Sequence, residues 1–241
     1  MRNNRERLNF EKAKFPAIVT VISFISFVGA YWLITYKSIT PYYVKGLWFV
    51  IPFMIFSVIT LLTARGILHK RASLAITGIL VVVLGIGFFY SLMSISFKMA
   101  TTDIKEIEKY ERVLRLTGDS LTTHFPDQIP NDAKDINFLY QPGFMQGGEV
   151  LELSFIIDSD VIQDYKGNFL EQAKWTGKID DASAKEYEFL TWGEPEKLSE
   201  DFTVFIFSSK PYKSKDWNHG EYSLAAINDK SNEIIFLMED W

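Results

Sequence analysis

Along the first hundred residues, polar positions nearly vanish. Phe15–Tyr36, Gly46–Ala64 and Ala72–Phe97 contain no Asp, Glu, Lys, Arg or His, and each is closed at both ends by a lysine or arginine. Each reaches the roughly 20 apolar residues that cross about 30 Å of hydrocarbon at about 1.5 Å per residue. None carries the polar stripe of a helix half-buried in a soluble domain. The pattern therefore predicts three transmembrane helices, over about 15–36, 46–64 and 73–97. The first is too long for the apolar core of a signal peptide, lacks a small-residue cleavage site, and is followed by two further spans.

After Lys98 the periodicity shortens and polar residues return. Asp103 with Glu106 three residues on resembles a capping box, and Ile104, Ile107, Tyr110 and Leu114 share a helical face up to Gly118, a suitable stop. This predicts a helix to about Thr117 that prolongs the third span as a stalk over 98–118. The prolines at 126 and 130 force extended backbone before them. Ile136–Tyr140 and Glu149–Ile157 read as strands, the latter with Leu151, Leu153, Phe155 and Ile157 alternating onto one face. A helix follows over about Asp160–Trp175 with Val161, Tyr165, Phe169 and Gln172 on its face, capped by Asp160 and Gln163. A short helix is predicted at Ala182–Leu190, a central strand at Phe202–Phe207, and a terminal hairpin from Tyr222–Ile227 and Glu233–Met238 around Asn228–Asn232. The fold class is thus membrane α-helical followed by an α+β domain over 119–241, with an antiparallel sheet of about five strands and a helix across one face.

Charge gives this architecture a direction. Residues 1–97 hold ten Lys/Arg and two acids, while residues 98–241 hold fifteen Lys/Arg against twenty-eight Asp/Glu. The tail over 1–14 carries five bases, the first loop offers Lys37 and Lys45, and the second packs Arg65, Lys70 and Arg71. By the positive-inside rule this alternation places the N-terminus and the second loop in the cytoplasm, and the first loop and the acidic domain outside. The expected location is the cell membrane, multi-pass, with the bilayer as the first partner. A domain with so large an acidic excess is repelled by nucleic acid, which is excluded as a partner.

Candidate chemistry changes the picture little. There is no cysteine, which removes disulfides, thiol nucleophiles and zinc–thiolate sites. The spans lack the ionisable groups of proton relays and ion pathways. Asp158, Ser159, Asp160 and Asp164 invite a calcium loop, but Ile162 and Gln163 stand where a ligand and a glycine are needed, and a helix N-terminus explains the acids better. Glu194, Glu196, Glu200 and Asp201 read as a solvated charged loop. His69 lies among bases at the membrane edge, and neither His124 nor His219 sits in a nucleophile-elbow context, although a triad assembled in space leaves no local motif. No cofactor, metal or catalytic residue is called for. The residues left as candidates for contact with a partner or ligand are His124 and Phe125, before the first proline, and Phe144, Met145 and Gln146 at a glycine-flanked loop tip. The alternative for the loop is that it tucks back over the sheet.

The run His124-Phe125-Pro126, Ile129-Pro130, Phe138-Leu139-Tyr140, Pro142-Gly143-Phe144-Met145-Gln146-Gly147-Gly148 and Leu151-Glu152-Leu153 resembles a segment of uncharacterised membrane proteins and lipoproteins of Gram-positive Firmicutes. The resemblance covers about thirty residues around one loop and strand pair. It implies an extracytoplasmic domain at a bacterial cell surface and carries no activity. Together these readings predict a non-enzymatic interaction, sensing or immunity-type module that meets another membrane or surface protein. The alternatives are an envelope enzyme with a motif-free active site and an accessory subunit of a transporter.

Overall fold

A computed structural model describes residues 9–118, 120–143, 148–181, 198–210 and 220–240. The helix predicted at 182–190, the loop tip at Phe144–Gln146, His219 and the acids Glu194 and Glu196 lie outside the described residues. The chain forms two compact units, residues 1–99 and 100–241.

Among its described residues the first unit holds three helical segments long and apolar enough to span a membrane: Lys14–Tyr36, Tyr43–Ala64 and Lys70–Thr101. The first is one helix, α1 (Lys14–Tyr36). The second is composite: α2 (Tyr43–Leu47), a tight 3-10 turn over Trp48–Val50, and α3 (Ile51–Ala64). Pro52 explains the turn. It has no N–H to offer the Trp48 carbonyl, which instead accepts from Ile51 one residue earlier. The third is α4 (Lys70–Thr101). Where α2 meets α1, Gly46 is required: a Cβ there would lie 2.8 Å from the Tyr31 ring and 3.2 Å from Ile34.

Hydroxyls stitch this unit together. Thr20 Oγ1 and Thr60 Oγ1 lie 3.0 Å apart between α1 and α3, and Thr63 donates to Ser73 Oγ at 2.8 Å between α3 and α4. Away from water, such bonds hold helices together where apolar burial cannot. Thr77, one turn along α4 from Ser73, is fully buried with its Oγ1 unpartnered.

The predicted stalk helix over 98–118 is corrected by the second unit. α4 ends at Thr101, and the next helix, α5 (Tyr110–Thr117), begins only after a 3-10 turn at Ile107–Lys109. A tertiary pairing displaces the expected cap. Ile104 exchanges two backbone hydrogen bonds of 2.8 Å with Tyr140, holding residues 102–106 alongside the sheet edge. The Asp103 carboxylate accepts from Gln141 Nε2 at 3.3 Å, and Glu106 pairs with Lys109 at 3.0 Å. Gly118 does end α5, at φ 21°, with its N–H donating to the Leu114 carbonyl.

Among the described residues the sheet has six antiparallel strands: β1 (Lys134–Gln141), β2 (Glu149–Ile156), β3 (Trp175–Gly177), β4 (Thr203–Lys210), β5 (Glu221–Asn228) and β6 (Glu233–Asp240), in the order β1-β2-β6-β5-β4-β3. The strand beyond the predicted five is β3, whose first residue, Trp175, the sequence pattern assigns to the end of the preceding helix. That helix, α6 (Ser159–Gln172), stops earlier, and Lys174 donates to Ile206 O at 2.7 Å as the chain turns into the sheet. The strand expected to be central, β4, is interior but next to the edge. Asp158 occupies the position before α6, so the acids Asp158 and Asp160 do flank a helix start, without a side-chain cap bond.

One sheet face is packed by α5, α6 and residues 120–125. Its centre is Phe236 on β6, with the rings of Phe125, Phe155, Tyr165, Phe169 and His124 within 5.5–6.2 Å. Opposite Phe236 on β5 stands Ala225, small enough to admit the ring layer. The other face is apolar over its β3–β4–β5 half, where Val204, Ile206, Leu224 and Ala226 are buried beneath Trp175, Ile179 and Leu198. Both sheet faces are therefore closed on that side.

Candidate binding cleft on the open half of the sheet

The second face changes character at β6. Register pairs Leu139 with Glu152 and Glu152 with Leu237 along one row, and Asn137 with Ser154 and Ser154 with Ile235 along the next. On β4 and β5 the same face presents Val204, Ile206, Leu224 and Ala226 to a buried apolar cluster, whereas β2 supplies Glu152 and Ser154, whose polar groups are costly to bury in a dry layer. The layer that covers Val204 and Leu224 accordingly gives way to an open cleft of about 550 Å³ over β1, β2 and the start of β6. That size lies within the usual range of ligand sites.

The cleft has an aliphatic floor and a polar border. Ile136 and Leu139 of β1 and Ile235 of β6 form the floor. Ile107, 41 % exposed, rises as one wall on the segment that Ile104 pins against Tyr140, with Lys105 beside it. Glu152 and Glu233 supply two carboxylates, and Ser154 a hydroxyl. The edge strand itself is not a vacant pairing edge, because Ile104 occupies the Tyr140 position and a bulge with Asp135 at φ 49° twists the strand at its start. Recognition in this cleft falls to side chains on a sheet face rather than to an added strand.

The predicted contact residues separate. His124 and Phe125 are 5 % and 6 % exposed and belong to the aromatic core, so a surface contact through them is corrected. Their role is structural. β4 carries an extra residue, Phe207, where its register with β5 shifts between Ile206 and Ser208. The His124 ring stacks on Phe207 at 4.5 Å, and its Nε2 lies 2.9 Å from the Leu224 carbonyl. A carbonyl only accepts, so Nε2 carries the proton, and the buried Nδ1 is a bare acceptor without a partner. Burial drives the His124 pKa down to about 3, against the upward pull of the Leu224 and Leu237 carbonyls, and keeps the ring neutral. Phe144, Met145 and Gln146 are outside the described residues.

The remaining polar groups are paired in the service of the fold. Tyr110 donates to the Pro126 carbonyl at 2.5 Å, Tyr140 to Glu149 at 2.9 Å, and Tyr222 to Glu239 directly across the β5–β6 ladder. Burial first, and for Tyr140 and Tyr222 the adjoining carboxylate next, raises the pKa of all three phenols. Asp229 holds Lys166 of α6 at 2.7 Å and Asp201 holds Lys230 at 2.6 Å, each carboxyl lowered first by its lysine's hydrogen bond. Among the described residues, no group of three or more His, Asp and Glu is arranged to hold a metal ion.

The cleft residues were missed in the sequence because their signal is a contrast between strands rather than a motif. β2 alternates apolar with polar, whereas β4 and β5 are apolar on both faces. Such a sheet must be half open on one side, but the pairing order that brings β2 beside β6 is not local information. Comparison with protein-family models, with curated proteins and with solved structures finds no match to the chain.

Proposed function

We propose that this chain is a membrane-anchored interaction module, of the sensing or immunity type, whose acidic domain stands on the extracytoplasmic side and binds its partner or ligand in the β1–β2–β6 cleft. The observation that carries the reading is the cleft itself, an open aliphatic floor bordered by carboxylates on a sheet whose β3–β4–β5 half is covered on both faces. The absence of Asp, Glu, Lys, Arg and His from Phe15–Tyr36, Gly46–Ala64 and Ala72–Phe97, the apolar stretches of the three spans, supports an anchor rather than a conduit. The five, two, three alternation of flanking bases supports the orientation. The resemblance of the segment over 124–153 to uncharacterised membrane proteins and lipoproteins of Gram-positive Firmicutes implies the same side.

Two measurements test the reading. The chain has no cysteine, so Ser231→Cys in the exposed β5–β6 turn provides a single thiol. It should react with a membrane-impermeant maleimide in intact cells, and labelling only after lysis would overturn the orientation. A photocrosslinking residue at Ile107 or Leu139 should capture one recurrent species in growing cells, while the same residue at Leu170, 57 % exposed on α6, should not. Equal capture from both positions would remove the cleft as the binding site.

A further inference from the structure

At one end of the membrane unit, stretches of chain far apart in sequence bring positive charge to one level. Asn9 donates to the Ala64 carbonyl at 3.0 Å, which ties the chain before α1 to the end of α3. The Thr63–Ser73 bond of 2.8 Å ties α3 to α4 in turn. Arg65 lies two residues past Thr63 and Arg71 two residues before Ser73, so both arginines stand at the same level. Lys12 follows Asn9 by three residues, Lys70 opens α4, and all four bases are exposed. Glu6 and Glu11 are the only acids before Asp103, and Glu11 is taken by Lys14 at 3.4 Å. Among the described residues no carboxylate and no aromatic face meets the side chain of Lys12, Arg65, Lys70 or Arg71. The far ends of the same helices differ. There Lys37 lies over the Trp32 ring at 5.6 Å and Lys45 over the Tyr42 ring at 5.5 Å, so each cation already has a π face.

The level of the four bases decides the kind of anion that suits them. Arg65 directly follows α3 and Lys70 opens α4, which puts the charges where hydrocarbon ends and lipid phosphates begin. Beside them Phe10 is 50 % exposed and Ile67 69 % exposed. A free anion would leave these two side chains in water, whereas a phospholipid covers them with acyl chain while its phosphate meets the bases. An acidic protein segment would have to reach below the headgroups to cover the same pair.

We propose that this end of the membrane unit binds anionic phospholipid headgroups: Arg65 and Arg71, with Lys12 and Lys70, take the phosphates, and Phe10 and Ile67 lie among the acyl chains. The arginines suit the task because a planar fork of N–H donors matches two phosphate oxygens at once. The site is separate from the β1–β2–β6 cleft, and it holds whichever leaflet this end faces.

The test uses the full chain in detergent micelles, titrated with phosphatidylglycerol or with phosphatidylcholine of the same acyl chains, and counts retained lipid by native mass spectrometry. Phosphatidylglycerol should bind about tenfold more tightly than phosphatidylcholine. Arg65→Gln together with Arg71→Gln should weaken phosphatidylglycerol about tenfold and leave phosphatidylcholine unchanged. Lys37→Gln together with Lys45→Gln, at the ring-seated end, should alter neither lipid by more than about twofold. Glu11→Gln releases Lys14 and should tighten phosphatidylglycerol about threefold, a gain that misfolding cannot produce. Ile67→Ser should weaken both lipids about threefold. Equal retention of the two lipids by the wild-type chain overturns the proposal, as does equal loss from the two double variants. Displacement of phosphatidylglycerol by inorganic phosphate, with Ile67→Ser silent, would reduce the surface to a bare phosphate site and overturn the lipid assignment. Displacement by a soluble polyglutamate peptide at equal charge would give the surface to an acidic protein and overturn it as well.

Discussion

His124 makes the stability of the soluble unit depend on pH in a way that can be worked out beforehand. In the folded chain its pKa is pushed down to about 3 by burial, whereas the unfolded value is near the ordinary 6.5. Acidification therefore protonates the unfolded state first. The histidine's contribution is fully present above about pH 6.5 and is lost as pH falls towards about 3, some 5 kcal/mol over the whole window. Between about pH 7.5 and 5 the loss is about 2 kcal/mol, and it stays near that value for any native pKa below about 4. The perturbation is His124→Gln, which retains an N–H donor for the Leu224 carbonyl but does not titrate. Urea unfolding of the detergent-solubilised chain, followed by near-UV circular dichroism, gives both stabilities at each pH. Wild type should lead the variant most at neutral pH, and the gap should close by about 2 kcal/mol at about pH 5. Asp201 and Asp229 also lose stabilisation in acid, but their pKa values are lowered and their effect is common to both proteins. A gap that stays constant with pH would refute the neutral, buried ring and the bulge-filling role built on it.

Three substitutions probe the rest. Thr77→Val removes a fully buried hydroxyl without a partner at nearly constant volume, and should stabilise the membrane unit by about 1–2 kcal/mol; a lower melting temperature in detergent would show that the hydroxyl has a partner after all. Asn232 holds φ 54° in the β5–β6 turn, so Asn232→Val should cost about 1–2 kcal/mol while Asn232→Gly is nearly neutral, and equal urea midpoints for the two would contradict the left-handed backbone. Phe236→Ala empties the centre of the aromatic layer and should cost about 3–5 kcal/mol, against less than about 0.5 for Leu170→Ala on the solvent side of α6.

The sequence was most readable where structure is governed by local period and length. Three spans follow from three uncharged runs, β2 from alternation, and β5 and β6 from two apolar runs on either side of the polar turn Asn228–Asn232. It misled where tertiary pairing overrode a local signal. Asp103 and Glu106 have the spacing of a cap, but Ile104 gains two backbone bonds to Tyr140, and those cannot form inside a helix. Trp175 fits the end of α6 by hydrophobicity, yet it pairs with Ile206. His124 stands out in the sequence as a polar residue before a proline, without any sign that the β4 bulge at Phe207 and the Leu224 carbonyl, a hundred residues away, would receive it. The cleft depends on which strand lies beside β2, and only the assembled order decides that.

That order has a further consequence, for the sequence of events in folding. β6 is the last strand in the chain, yet it lies between β2 and β5 and pairs with both along its whole length. Until it arrives, the early hairpin β1–β2 and the later strands β3, β4 and β5 have no ladder in common, and each exposes a raw edge. Closure is therefore a late, long-range event, of the kind that slows folding and lengthens exposure to aggregation. The two sheet fragments wait for one eight-residue keystone, and the cleft floor, which takes Ile235 from that strand, comes into being only when it is set.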